Sequence, residues 1–189
     1  MILPKEDKRY TYDDYLTWDK GVRYELIEGV PYAMAGVSLS HMIVRRELER
    51  RLGNYLDGKS CQLFSERFDL ILNVNNANDT VVQPDIYVVC DPSKITDKGC
   101  VGAPDLVVEI LSAWSVSRDK IKKLKFYEKA GVPEYWIVDP QLKFIDVYIL
   151  ENGKYSFPQS YNETDTIPVH ALKDCCIILS DVFKHLKDD

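Results

Sequence analysis

Residues 106–111 read Leu-Val-Val-Glu-Ile-Leu, a nearly unbroken apolar run. A lysine-rich stretch with helical spacing follows over 117–130, with Ile121, Leu124 and Tyr127 on one face and Gly131 as its stop. A second apolar run, Tyr135-Trp136-Ile137-Val138, comes directly after. Runs apolar at every position belong to central strands covered on both faces, not to strands with one wet side. A helix between two such runs makes a β-α-β crossover, which sets the two strands parallel. Other segments are joined by tight turns instead. Residues 24–34 read as a hairpin turning at Glu28-Gly29, and 144–150 returns onto 155–157 through Asn152-Gly153, a strong hairpin dipeptide. Parallel and antiparallel pairing together give an α/β chain with a central mixed β-sheet flanked by helices.

The remaining segments fit that class. Residues 10–19 read as a short amphipathic helix and 39–57 as a longer one, with Ile43, Leu48, Leu52, Tyr55 and Leu56 at helical spacing. Arg45, Arg46, Arg50 and Arg51 fall on its other sides, a surface suited to phosphates. Residues 62–72 and 81–89 read as strands, the second interrupted at Pro84, and 91–103 as a loop. A short strand over 176–179 and a helical turn or two over 181–186 finish the chain.

Three polar groups interrupt this apolar scaffold. Asp85 follows Gln83-Pro84 at the edge of a strand, where it either caps a turn or binds a cation. Glu109 lies inside the run 106–111, and an ionised group there costs several kcal/mol unless it is paired or metal-bound. Lys123 stands on the helix that follows, spaced i, i+4 from Asp119, so a local salt bridge competes with a role in a site. Asp105 shares a face with Glu109 and either assists it or caps the strand. Glu25, between Tyr24 and Leu26, is either a buried structural partner or a further ligand. Two carboxylates and a lysine brought together suit an enzyme that cleaves phosphodiester bonds with Mg²⁺, or Mn²⁺ in its place. His41 opens the long helix and reads as solvent-facing or capping. Lys120, Lys122 and Lys125 read as solvated, and Ser115 or Ser117 as a helix cap. No Ser/His/Asp order, phosphate-binding glycine loop or nicotinamide fingerprint is present.

The 189 residues suggest one domain, 1–189, against about 150 residues per domain. A formal net charge of -6 argues against a general nucleic-acid coat protein, which needs a broad basic face. It leaves room for a nuclease with a local basic strip, and equally for a non-catalytic interaction module. The five cysteines are odd in number and contain no C-x-x-C pair, so free thiols in a reducing cytoplasm are expected, without zinc or a disulfide framework. The N-terminus lacks the apolar core of a signal peptide, and no apolar run reaches about 18 residues, so neither secretion nor a membrane span is expected.

Five segments together resemble a known family: Arg23-Tyr24-Glu25-Leu26-Ile27-Glu28-Gly29, Gln83-Pro84-Asp85, residues 104–112, Arg118-Asp119-x3-Lys123-x3-Tyr127, and residues 131–140 reading Gly-Val-Pro-Glu-Tyr-Trp-Ile-Val-Asp-Pro. They resemble the PD-(D/E)xK superfamily of restriction-endonuclease-like folds and, more closely, its bacterial Uma-type restriction-endonuclease family. The resemblance implies a Mg²⁺-dependent endonuclease acting on DNA. Asp85 and Glu109 would be metal ligands, Glu25 a further one, and Lys123 the catalytic amine. A two-fold dimer is common among enzymes that cut both strands. The chain departs from the superfamily pattern at Leu111, where a lysine is expected, and Lys123 is the candidate to supply the amine from the next helix. It departs again at Ser112-Ala113-Trp114-Ser115, where relatives often carry Ser-Pro-Ser-Thr.

Overall fold

The computed structural model describes residues 8–19, 21–34, 36–65, 67–72, 77–112 and 118–187, with the backbone alone for 118–121. The chain opens with α1 (Tyr12–Tyr15), β1 (Tyr24–Ile27), β2 (Val30–Ala33), α2 (Leu39–Leu56), β3 (Gln62–Ser65), β4 (Asp69–Ile71), β5 (Val81–Val82) and β6 (Ile86–Val89). It continues with β7 (Ile95–Thr96), β8 (Gly99–Val101), β9 (Leu106–Ile110), α3 (Arg118–Ala130), β10 (Glu134–Asp139) and β11 (Phe144–Glu151). It ends with β12 (Lys154–Tyr155), β13 (Gln159–Asn162), β14 (Thr166–Pro168), β15 (Cys176–Ile178) and α4 (Leu179–Phe183).

The central sheet has the order β12-β11-β10-β9-β6-β3, with β13 also on β11. Its heart is the parallel pair β9 and β10, with Val107 beside Tyr135 and Val108 beside Trp136, joined by α3 as the apolar runs require. A smaller sheet, β2-β1-β5-β4-β8-β7, packs beside it, and β14 pairs with β15 separately. The two hairpin dipeptides form as expected. Glu28 and Gly29 have φ of 48° and 76°, and Asn152 and Gly153 have 51° and 78°, the paired positive values of a type I′ turn.

Two expected strands are each split between the sheets. The run 81–89 divides at Gln83-Pro84: β5 joins the small sheet, and β6 joins the large one. Proline donates no ladder hydrogen bond, so the chain can leave one sheet there and enter the other. The run 62–72 divides around Arg67, whose φ of 66° turns the chain between β3 and β4. The expected helix over 10–19 is a single capped turn in which Thr11 and Asp14 bond reciprocally. The expected loop over 91–103 contains a 3₁₀ turn, Pro92–Lys94, and the antiparallel pair β7–β8. Strand β14 was not legible because proline and threonine flank its one buried residue, Ile167.

Strand parity separates two cores. Ile86, Val88, Leu106, Val108, Trp136 and Val138 face α2 and α4, meeting Val44, Leu48 and Leu52. Tyr87, Val89, Val107, Tyr135 and Ile137 face the opposite way, against Phe126 and Tyr127 of α3 and Leu70, Leu72 and Val82. Each fully buried aliphatic side chain of these layers contributes about 1.5–3 kcal/mol.

One composition-based expectation is overturned. Cys61 and Cys90 form a disulfide, while Cys100, Cys175 and Cys176 are free. The cause is register: Gln62 pairs with Val89, so the next antiparallel step sets Cys61 against Cys90, with Cα atoms 3.9 Å apart. Spacing within the sequence cannot reveal a pairing made by strand register.

Candidate active site

Glu109 points from β9 toward α3, the side on which Val107 is buried. One helical turn of α3 supplies its partners. Lys123 Nζ lies 2.9 Å from Glu109 Oε1, and the Tyr127 hydroxyl donates to the same oxygen at 2.8 Å. Lys123 also reaches Glu25 on β1, at 3.1 Å. Glu25 is fixed from the other side, where Gln83 donates its backbone N–H to Glu25 Oε1 at 3.1 Å. The ammonium therefore sits between two carboxylates brought from different sheets.

Asp85 occupies the joint after Pro84. Ile86 pairs with Val108 in the antiparallel β6–β9 ladder, so one further step sets Asp85 opposite Glu109 on the same face. The ladder closes through the side chain: Ile110 donates its N–H to Asp85 Oδ2 at 2.7 Å. The other oxygen, Oδ1, meets His41 Nε2 at 3.0 Å. Directly opposed like charges are unfavourable, so this strand end calls for a cation.

Glu25, His41, Asp85, Glu109 and Lys123 all line one cleft of about 320 Å³. Burial, with the charges of Asp85 and Glu25, pushes the Glu109 carboxyl up to about 7 against the pull of Lys123. Burial alone would lower Lys123, but the charges of Glu109 and Glu25 hold its ammonium above the usual lysine range. Lys123 is thus a standing cation and not a proton acceptor near neutral pH.

The donor chemistry fits a hard divalent cation. Glu25, Asp85 and Glu109 all offer carboxylate oxygens to the cleft, and three carboxylates against one ammonium leave two negative charges when all are ionised. His41 Nδ1 adds an orphan: it is buried and has no hydrogen-bond partner among the described residues. As it stands the cleft is not drawn tight, since no group of three or more His, Cys, Asp or Glu among the described residues is arranged to hold an ion.

Several expectations change in place. His41 neither faces solvent nor caps α2; it is 2% exposed, and Ser38 is the cap. The missed signal is its position: 41, 44, 48 and 52 form one apolar stripe, and a histidine on that stripe must point into the interior. Lys122 is exposed, as expected, and also lines the cleft, with its ammonium 5.1 Å from the Tyr32 ring centroid. Asp105 does not join the site, because it accepts from the Cys90 N–H at 2.7 Å. The α2 arginines are ion-paired. Arg46, Arg50 and Arg51 converge on buried Glu47, and Arg45 pairs with Glu49. The Asp119 carboxylate, Ser115, Ser117 and residues 113–115 of the connecting loop lie outside the described residues.

The sequence matches the Uma2 family, described as "Putative restriction endonuclease", over residues 12–178. It is 31% identical over 139 residues to an uncharacterized protein of Synechocystis sp., slr1290, covering 72% of each chain. The fold is shared with the crystal structure of "a putative nuclease belonging to DUF820" from Anabaena variabilis, at a TM-score of 0.74 and 21% identity, over 93% of this chain and 98% of that one. Among the described residues, no helix is long and apolar enough to cross a membrane.

Proposed function

Because this chain belongs to the Uma2 family, a nuclease-like family, we propose that it is an endonuclease that hydrolyses DNA phosphodiester bonds with Mg²⁺ or Mn²⁺. The observation that carries this reading is the placement of Glu25 and Glu109 around one ammonium in an open cleft that Asp85 also lines. Asp85 and Glu109 would hold the cation, with Glu25 as a further ligand. When bound, the ion supplies polarisation of the scissile phosphate and a lowered pKa for its water.

The chain's own groups do the rest. Lys123, held as an ammonium by two carboxylates, donates to a non-bridging phosphate oxygen and offsets charge as it develops. Tyr127 fixes Glu109 through its Oε1. His41 positions Asp85 through Oδ1. A two-fold dimer would present two such clefts to the two DNA strands.

The test is nicking of supercoiled plasmid by purified protein with Mg²⁺ or Mn²⁺, beside Asp85→Asn and Glu109→Gln. Cleavage by the parent and its loss in both variants, with circular dichroism unchanged, is the expected outcome. Cleavage that survives either substitution refutes the assignment of ligands.

One observation favours a second reading, a non-catalytic nucleic-acid or protein interaction module on the same fold. Lys123 already neutralises part of the carboxylate charge from within. Titration calorimetry separates the two: a module shows no Mg²⁺ or Mn²⁺ heat that depends on Asp85 and Glu109.

A further inference from the structure

A second cavity of about 380 Å³ lies beyond Gln83, sharing no lining residue with the cleft. Gln83 connects the two. Its backbone N–H holds Glu25, while its side-chain oxygen accepts from Arg23 Nε at 3.3 Å and Nη2 at 2.9 Å. We propose that this cavity is a nucleotide subsite, which takes one phosphate and base of the DNA strand within a nucleotide or two of the bond cut in the cleft. The proposal rests on the nuclease reading for its ligand.

Arginine chemistry is the first argument. The four arginines of α2 all meet carboxylates. Arg23 and Arg67, both lining this cavity, meet none among the described residues. Arg23 is held by a neutral amide, which orients the guanidinium without cancelling its charge. Arg67 makes no hydrogen bond or ion pair among the described residues. A phosphate is the ligand whose charge and geometry suit such guanidinium forks.

The walls supply the second argument. Trp18 and Tyr24 contact each other edge to face, with centroids 5.6 Å apart, and both border the cavity. Trp18 is 5% exposed and packed by Tyr10, Tyr15 and Tyr24, so the half-buried Tyr24 is the ring on which a base can stack, without regard to sequence. Two carboxylates also line the space, and they argue against a simple anion. Asp69 is occupied, since its Oδ1 accepts from Gln83 at 2.8 Å and from the Tyr15 hydroxyl at 3.2 Å. Among the described residues Asp19 accepts only the Gly21 N–H, which leaves an oxygen for an amino group on a base. An anion joined to a flat ring bearing N–H donors is a nucleotide.

Distance is the third. Arg23 precedes Glu25 by two residues along an extended chain, about 7 Å, against about 3.4 Å of axial rise per nucleotide in a strand. A strand lying in the cleft therefore reaches this cavity without a long excursion.

The experiment measures fluorescence anisotropy of a short fluorescein-labelled single-stranded DNA across a salt series in EDTA, so that nothing is cut. Parent protein, Arg67→Ala and Arg23→Gln are compared, with thermal melts as a check on folding. Arg67→Ala, which removes no hydrogen bond or ion pair among the described residues, is expected to weaken binding about tenfold and to flatten the slope of log affinity against log salt by about one. A parent that cuts plasmid while Arg67→Ala and Arg23→Gln keep parental affinity and slope overturns the subsite and leaves the nuclease reading standing. Arg67-dependent binding by a parent that never cuts supports the subsite and removes the nuclease reading. No binding by the folded parent at low salt overturns the subsite.

Discussion

Replacing Lys123 by methionine keeps most of the side-chain volume and removes the charge between Glu25 and Glu109. The three side chains are only 17%, 7% and 13% exposed, so the two carboxylates would face each other with little water between them. Removing one partner of a buried ion pair costs about 3–5 kcal/mol. Glu109 has an escape, since it can bind a proton. Its pKa is already raised from 4.5 to about 7 with the ammonium in place, and it rises further without it. A carboxyl whose pKa is higher in the folded protein than in the unfolded chain stabilises the fold at low pH, and that contribution is lost as the pH rises. The penalty should therefore sit near the lower end, about 3 kcal/mol, at neutral pH and grow on the alkaline side. For a chain of this length, about 3 kcal/mol corresponds to a fall of roughly 6–12 °C in Tm. Thermal melts of metal-free parent, Lys123→Met and Lys123→Met/Glu109→Gln at acidic, neutral and mildly alkaline pH read this directly. The double variant should regain most of the loss, because a neutral amide tolerates Glu25 beside it. A single variant that melts with the parent on the alkaline side refutes the placement of Lys123 between the two acids.

Glu47 gives the opposite pH dependence. Hydrogen bonds from Arg50, then Arg51 and Arg46, hold it down from 4.5 to about 2, so its stabilisation is present above 4.5 and is lost as pH falls toward 2. Glu47→Gln should flatten the acid limb of a stability–pH curve there, and an unchanged limb would show that the arginines do not act through Glu47. His41→Ala should leave α2 folded but weaken Mn²⁺ binding by about 10- to 100-fold in calorimetry, the usual cost of losing a group that orients a ligand; undiminished affinity would remove His41 from the site. Thiol titration of denatured, non-reduced protein should find three of the five cysteines free. Reduction of the other two should cost roughly 3–4 kcal/mol for a loop of 29 residues, read by denaturant melts, and five free thiols would refute the pairing.

The parts of the fold legible in the sequence are those set by local chemistry. The β9–α3–β10 crossover follows from two apolar runs and a helical spacing, and the two hairpins from Glu28-Gly29 and Asn152-Gly153. The illegible parts are set by contacts between distant segments. Pro84 marked an interruption, but only the second sheet reveals that β5 departs while β6 stays. The same holds for the site. Glu109 was conspicuous because a charge in an apolar strand demands an explanation. Its partner on α3 was narrowed by the vacancy at Leu111. The choice for Lys123 between Asp119 and Glu109 needed the α3 packing that sets its ammonium 2.9 Å from Glu109. Tyr127 was read as core and as part of a family-like segment, but the bond from its hydroxyl to Glu109 depends on the α3 packing.

The net charge of -6 seemed to weigh against a DNA substrate, yet a bulk charge says nothing of where unpaired cations stand. Here they are sorted. The arginines of α2, which looked like the basic surface, all meet Glu47 or Glu49. Lys122 stands at the cleft, and Arg23 and Arg67 stand at the second cavity, with no carboxylate partner for any of the three among the described residues. A strand crossing this short basic row would meet three uncommitted cations within an acidic molecule. Such a protein should bind DNA with a shallow salt dependence, a slope of about two to three for three phosphates in single strands, and not the slope near ten of a broad basic face. A measured slope much steeper than three would mean that phosphates are engaged elsewhere, and that the row from Lys122 to Arg67 is not the path of the strand.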